Sequence, residues 1–354
     1  MTKDLLIIAE AGVNHNGSID MAIALVDAAV KAGADAVKFQ TFRADRLASK
    51  NAAKAAYQEK STDQTESQFD MLKKLELTPE MHEVLVEHCA KSGIEFMSTP
   101  FDEASARYLV EEIGVRRLKI PSGEITNAPY LLALARLKVP LIVSTGMSSL
   151  EEVREAVRII AFGFSHPEGA FDPGWQDDAV WSSLSEKLSL LHCTTEYPAP
   201  VSEVNLRAIE QLRECFQLPI GFSDHTEGIH IPVAAVGRGA VLIEKHFTLD
   251  RNLPGPDHKA SLEPAELNMM VKCLRDAYQA MGDGDKKPTP SEEKNIPIVR
   301  KSIVARTKIS AGELLTAENL VVKRPGTGIS PMRWWDIIGM HATRNFDVDE
   351  LIEL

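Results

Sequence analysis

VLIEKHF, residues 241–247, is an apolar run that ends in a carboxylate, an ammonium and an imidazole. All three groups are costly to bury beside one another. In a strand, residues of one parity share a face, so Glu244 and His246 point one way and Lys245 faces the opposite, helix-covered side. A strand that closes in chemistry is the recurring unit of the chain. LLIIAE (5–10), AVKFQ (36–40), EFMSTP (95–100), RLKIPS (117–122), LIVSTG (141–146), LSLLHCT (188–194) and PIGFSD (219–224) have the same form and precede it.

Helical patterns alternate with these runs. Ile19, Ala22, Ile23, Val26, Ala29 and Val30 follow the i, i+3, i+4, i+7 rule, with Ser18 as N-cap and Gly33 as stop. Further helices are predicted near 79–92, 103–113, 127–137, 149–161, 204–215, 228–238 and 264–281. Eight strand–helix units in this span fit a (β/α)8 barrel, typically ~250 residues, with a doubly wound open sheet as the alternative. The eight runs end in Glu10, Gln40, Thr99, Ser122, Ser144 with Thr145, Thr194, Asp224 and His246. A barrel gathers such ends at one mouth, where active sites of this fold lie. Wet turns account for Ser and Thr there, but not for Glu10, Lys38, Lys119, Glu124, Asp224 and His246 on one rim.

Ser223 and His225 share a parity, as do Glu244 and His246. If the last two strands are neighbours about 4.8 Å apart, His225 and His246 stand side by side. Two imidazoles with Glu10 and Asp257 nearby suit a divalent cation that keeps open positions. Lys38, Lys119, Ser122, Ser144 and Ser223 supply the ammonium and hydroxyl donors that a phosphate or carboxylate requires. No GxxxxGK[ST] or GxGxxG occurs, which argues against a nucleotide loop.

The whole-chain composition narrows the class. The 354 residues are 44% hydrophobic and 25% charged, with a net charge of -12. That charge opposes nucleic-acid and anionic-membrane partners and leaves small-molecule chemistry. Cys89, Cys193, Cys215 and Cys273 are widely spaced and read as buried, reduced thiols. With no signal peptide and no run long enough to span a membrane, a cytoplasmic location is expected.

The barrel is expected over 1–281, with 282–295 (GDGDKKPTPSEEKN) as a polar linker and 296–354 as a small, strand-rich domain. A core of that size is marginal alone and should dock on something. Insertions 43–78 and 163–187, the latter with Trp175 and Trp181, are read as lids or surface decoration. Arg324, in KRPGTG, reads as a surface arginine by itself.

AEAGVNHNG, AVKFQTF, STPFD, KIPSGE, STGM, LHCTTEYPAP, GFSDH, EKHFTLD, GPDHKASLEP and KRPGTGISPM occur in this order along essentially the whole chain. Together they resemble the sialic acid synthase family, which condenses phosphoenolpyruvate with an N-acetylated mannosamine-type sugar and water to give a nine-carbon 2-keto acid and phosphate. The resemblance implies a (β/α)8 barrel followed by an antifreeze-like (SAF) domain, in a domain-swapped homodimer whose tail closes the partner's barrel mouth. It implies His225 and His246 as ligands of a divalent metal, most often manganese, with magnesium or cobalt as alternatives. Glu10 and Asp257 match the carboxylates that hold water at that metal. Lys38, Thr99, Lys119, Ser122, Ser144, Thr195 and Ser223 match phosphoenolpyruvate-side positions, although Thr195 stands where some members have Asn. Gln40, Glu124, Tyr197 and Asp257 match sugar-side positions, and Arg324 matches a tail arginine that reaches the acetamido group from the other subunit. Several segments, GVNHNG and EGIHIPVAAV among them, resemble N,N'-diacetyllegionaminate synthases more than N-acetylneuraminate synthases. The former take 2,4-diacetamido-2,4,6-trideoxymannose, the latter N-acetylmannosamine. Two other readings remain: a Schiff-base pyruvate aldolase using Lys38 or Lys119, and a carbohydrate-binding protein using the tail.

Overall fold

Eight parallel strands carry the larger of two compact units: β1 (Leu6–Gly12), β2 (Ala36–Thr41), β3 (Glu95–Pro100), β4 (Leu118–Ile120), β5 (Leu141–Ser144), β6 (Leu188–Cys193), β7 (Ile220–Asp224) and β8 (Leu242–His246). The computed structural model describes residues 5–49 and 67–354, and its units are Met1–Gly282 and Asp283–Leu354. Strand order is β3-β2-β1-β8-β7-β6-β5-β4. The pairing of β1 with β8, with Ile8 opposite Glu244 and Glu10 opposite His246, decides between barrel and open sheet, because it joins the first strand to the last. β3 and β4 lie side by side without a backbone ladder, so the barrel closes by packing at that seam.

The helices follow the sequence signals. α1 (Ile19–Ala32) starts where the Ser18 side chain accepts from the Met21 N–H, and ends at Gly33 with φ 81°. α2 (Pro79–Ser92), α3 (Glu103–Arg107), α4 (Ala128–Arg136), α5 (Leu150–Ser165), α6 (Ala208–Phe216), α7 (His230–Gly237) and α8 (Pro264–Ala280) complete the outer layer. α3 passes into one wide turn, Tyr108–Glu112, rather than continuing as the single helix expected over 103–113. α6 starts later than the expected 204, after Asn205, whose φ of 49° is outside the helical range.

Strand parity creates two cores. Outward residues such as Ile7, Phe39, Leu118, Phe222 and Ile243 pack under the helices. Inward residues Ile8, Ala36, Met97, Ile142, Leu191 and Leu242 fill the lower barrel. The two insertions behave differently. Within 43–78, the helices Ala44–Leu47 and Gln68–Lys74 flank residues 50–66, which lie outside the described residues, and Met71 and Leu75 pack with Val13 and Phe42 near the barrel mouth. In 163–187, Trp175 and Trp181 are half-buried against the helix-layer core, with Trp175 edge-on to Phe162 at 5.4 Å. Cys89 and Cys193 are buried, whereas Cys215 is exposed and Cys273 half-buried, because the latter two face away from the helix-layer core.

In the smaller unit, β9 (Ser302–Ala305) pairs antiparallel with β10 (Leu320–Lys323) over a core that includes Ile303, Ile309, Leu315, Leu320, Ile337 and Phe346. DELIEL contributes a single bridge, Val304 to Leu351. Among the described residues, no helix is long and apolar enough to cross a membrane.

Candidate active site

Above the apolar floor, the inward residues of β1, β2, β4 and β8 are charged. Glu10, Lys38, Lys119 and Glu244 are 2%, 3%, 4% and 4% exposed. Buried charges persist only when paired, and these are. Lys38 Nζ lies 2.6 Å from Glu10 Oε2 and 3.5 Å from Glu244 Oε2, and it donates to Thr99 Oγ1 at 2.9 Å. Lys119 Nζ and Ser223 Oγ both donate to Glu244 Oε1, at 3.1 and 2.8 Å. Burial opposes the Glu244 charge, but Lys119, Lys38 and the Ser223 hydroxyl outweigh it and hold the carboxyl well below the usual range. Burial likewise opposes the Lys38 ammonium, yet Glu10 and Glu244 hold it above its ordinary value. A Schiff-base lysine needs the reverse shift. Glu10 has the weaker compensation: burial, aided by the Glu244 charge and opposed by Lys38, raises it to about 7.

The two imidazoles stand over this layer, their ring centroids 5.9 Å apart and their planes inclined at 55°. His225 Nδ1 lies 2.6 Å from the Thr194 carbonyl, which only accepts, so Nδ1 carries the proton. Burial pushes His225 down to about 4, so the ring is neutral, and its Nε2, 3.4 Å from Ser223 Oγ, carries an unprotonated lone pair. Burial, with the adjacent His225 and the Lys38 ammonium, also lowers His246 well below its ordinary value. The buried Nδ1 of His246 has no hydrogen-bond partner among the described residues. Tyr197 packs on both rings, at 4.2 Å from His225 and 5.7 Å from His246. At Gly12, φ is 53° and an added Cβ would sit 3.4 Å from both Glu10 Oε1 and His246 Cε1. Glycine therefore lets β1 bulge past the ring.

A cavity of about 470 Å³ opens at this mouth, lined by Gln40, Lys119, Ser122, Ser144, Thr195, Tyr197, His225, His246 and Asp257. Glu10, Lys38, Thr99 and Ser223 are buried in the adjoining layer rather than in its wall. Burial raises Asp257 to about 6. Glu124 lies on the turn Ser122–Glu124, outside the wall, and accepts from Asn127 Nδ2 at 2.6 Å. Arg324 belongs to the smaller unit, where its Nε donates to the Val299 carbonyl at 2.9 Å. Leu47, Ala48, Gln68, Met71, Leu72 and Leu75 of the 43–78 insertion line the cavity, and no residue of 163–187 does.

Asp224 points outward, opposite Lys245 in the β7–β8 ladder, because its parity is that of Phe222 rather than Ser223. Glu244, given no role from the sequence, is the hub of the charged layer; its parity with His246 was the available signal. Asn14 also went unmarked. Its Nδ2 donates to the Phe247 carbonyl at 2.8 Å and to Ser261 Oγ at 3.0 Å, and Ser261 donates to the Asp257 carbonyl at 2.6 Å. The VNHNG turn thus ties down the loop that carries Asp257.

Among the described residues, no group of three or more His, Cys, Asp and Glu is placed to hold a metal. Two neutral imidazoles, His225 and His246, could hold a cation there, with further positions left to substrate and water. Lys119 in the wall, with Lys38 in the layer behind it, gives the mouth the positive charge that a small anion would need.

The chain is 51% identical to an N,N'-diacetyllegionaminic acid synthase of Campylobacter jejuni over 99% of both chains. It is 49% identical to the enzyme of that name from Legionella pneumophila, over 96% of this chain and 90% of the relative. A solved N-acetylneuraminic acid synthetase from Leptospira borgpetersenii is 34% identical, with TM-score 0.69 over 83% of this chain and 90% of that one. Residues 300–353 match the SAF domain. Residues 25–286 match the NeuB family, and with near-full-length similarity to its synthases the chain belongs to that family.

Proposed function

We propose that this chain condenses phosphoenolpyruvate with 2,4-diacetamido-2,4,6-trideoxymannose and water, giving N,N'-diacetyllegionaminate and phosphate. The observation that carries the reading is the layered mouth: two paired ammoniums, Lys38 and Lys119, immediately beside two neutral imidazoles. Near-full-length similarity to two synthases named for that product supports the acceptor over N-acetylmannosamine, the substrate that would give N-acetylneuraminate.

A divalent cation, manganese in this reading with magnesium or cobalt as substitutes, would rest on the bare nitrogen of His225 and on His246 and supply Lewis-acid polarisation of the sugar aldehyde. Lys38 and Lys119 offset the charge of the phosphate and carboxylate, with Thr99, Ser122, Ser144, Thr195 and Ser223 as hydroxyl donors. The buried Ser144 Oγ has no partner among the described residues and is free to donate. Gln40, Glu124, Tyr197 and Asp257 serve the sugar side. The C2=C3 π pair of phosphoenolpyruvate forms the bond from C3 to the aldehyde carbon, whose own π pair moves to oxygen and takes up a proton, leaving C2 oxocarbenium-like. Water adds to C2 and loses a proton. Phosphate then leaves with the electron pair of its bond to C2 as the new hydroxyl gives up its proton to form the ketone. Glu10 at about 7 and Asp257 at about 6 are poised to take and return these protons near neutral pH.

In the same reading, 1–281 is the catalytic barrel, 282–295 a linker and 296–354 the SAF domain of a cytoplasmic homodimer, in which Arg324 of the partner subunit reaches the acetamido group. The test is phosphate release from phosphoenolpyruvate with each sugar offered separately. Turnover should be faster with the diacetamido sugar, be abolished by EDTA and return with Mn²⁺. Equal rates with both sugars would remove the acceptor assignment, and undiminished turnover in EDTA the metal.

A further inference from the structure

We propose that Lys245 is a positioning residue: its buried ammonium grips both neighbours of His225 and fixes the direction in which that imidazole presents its bare nitrogen. Lys245 sits on the outer face of β8, where Ile243 and Phe247 on either side belong to the apolar helix-layer core. It is the charged exception there, 1% exposed. In the β7–β8 ladder it stands opposite Asp224. Its Nζ donates to Asp224 Oδ2 and to the Thr226 carbonyl, each at 2.5 Å. Asp224 Oδ1 in turn accepts from the Thr226 N–H at 2.9 Å.

His225 therefore lies between two residues held by one cation. On the cavity side, Nδ1 donates to the Thr194 carbonyl at 2.6 Å, and the His225 carbonyl accepts from Ala199 N–H at 2.8 Å. The turn is pinned from both faces. Stability does not explain the ammonium, because replacing a buried ion pair by apolar side chains is often neutral or favourable. An apolar residue at 245 would fill the layer but could not tie a carboxylate and a carbonyl two residues apart. That tie is geometric, and the residue it brackets is one of the two imidazoles of the mouth. The three consecutive polar residues of β8 thus divide their work: Glu244 holds the ammoniums, His246 faces the cavity, and Lys245 holds its partner imidazole from behind.

The test uses the full chain carrying Lys245→Met with Asp224→Asn, which removes both charges while keeping an acceptor for the Thr226 N–H. In the metal-free protein, ¹⁵N imidazole spectra of the unmodified chain should show His225 as a single tautomer protonated at Nδ1. The double variant should fold, show both tautomers in exchange, and bind Mn²⁺ roughly 10- to 100-fold more weakly by electron paramagnetic resonance. A folded double variant with a single tautomer and undiminished Mn²⁺ affinity overturns the proposal, as does a mixed tautomer in the unmodified chain. If the double variant does not fold, Lys245→Gln takes its place. Its side chain is too short to reach both acceptors, so the same mixing is expected and its absence overturns the idea. The manganese arm rests on the proposed function, whereas the tautomer arm does not. A failure of turnover with either sugar leaves the second intact.

Discussion

The apolar and charged parts of the barrel interior are both built from inward-facing strand residues, yet they follow opposite rules. Below, Ile8, Met97, Ile142, Leu191 and Leu242 make a dry plug. One layer higher, Glu10, Lys38, Lys119 and Glu244 bury four charges in a mutual network. The plug contributes stability through area removed from water. The charged layer gains little on that scale, since desolvation offsets most of its Coulomb energy. Under the proposed function, the two ammoniums of this layer would face the phosphate and carboxylate of the substrate.

Substitutions that separate the two layers sharpen this contrast. Lys38→Met should lower phosphate release roughly 10²- to 10³-fold, as removing one electrostatic donor does elsewhere, and steady-state kinetics would show it. Loss of folding alone, with normal turnover in the folded fraction, would break the contrast. Leu191→Ala, in the plug, should cost about 2–5 kcal/mol by urea denaturation while leaving kcat and both KM values essentially unchanged.

A smaller effect concerns pH. Burial holds His15, in the VNHNG turn, at about 4 instead of 6.5. Above 6.5 neither the folded nor the unfolded chain binds that proton, and its contribution to stability is complete. As pH falls from 6.5 to about 4 the unfolded chain protonates first, so stability declines, and below about 4 the loss levels off. His225 and His258, both lowered to about 4, act in the same direction. Glu10 at about 7 and Asp257 at about 6 act in the opposite direction over this window, so the check is differential: relative to the unmodified chain, the urea midpoint of His15→Gln should lose less, or gain more, as pH falls from 6.5 to about 4.

The smallest effects compare the two insertions. Met71→Ala, in the cavity wall, should raise KM for the sugar. Trp175→Ala removes aromatic contacts worth about 0.5–1.5 kcal/mol beyond area and should leave both KM values alone. A KM change confined to the Trp175 variant would reverse these roles.

Much of this was legible in one dimension. Period-2 and period-3.6 patterns, Ser18 and Gly33 as caps, and polar strand ends placed the eight units within a few residues. His225, His246, Lys38 and Lys119 stand out because such groups are rare at the ends of apolar runs. The role of Glu244 appears only when Lys38 from β2, Lys119 from β4 and Ser223 from β7 converge on it. Asp224 sits on the outer face because its parity, not its polarity, sets its side.

The alternation of strands and helices, the inventory of chemical groups, and the side of its own strand that each group takes follow from local periodicity and side-chain chemistry along the chain. Which groups meet is a property of the folded barrel. Closure of β1 onto β8 put Glu10 beside His246, and the β7–β8 register put Lys245 behind His225. Such contacts depend on strand order and register, which are set by the collective packing of the barrel rather than by any one segment.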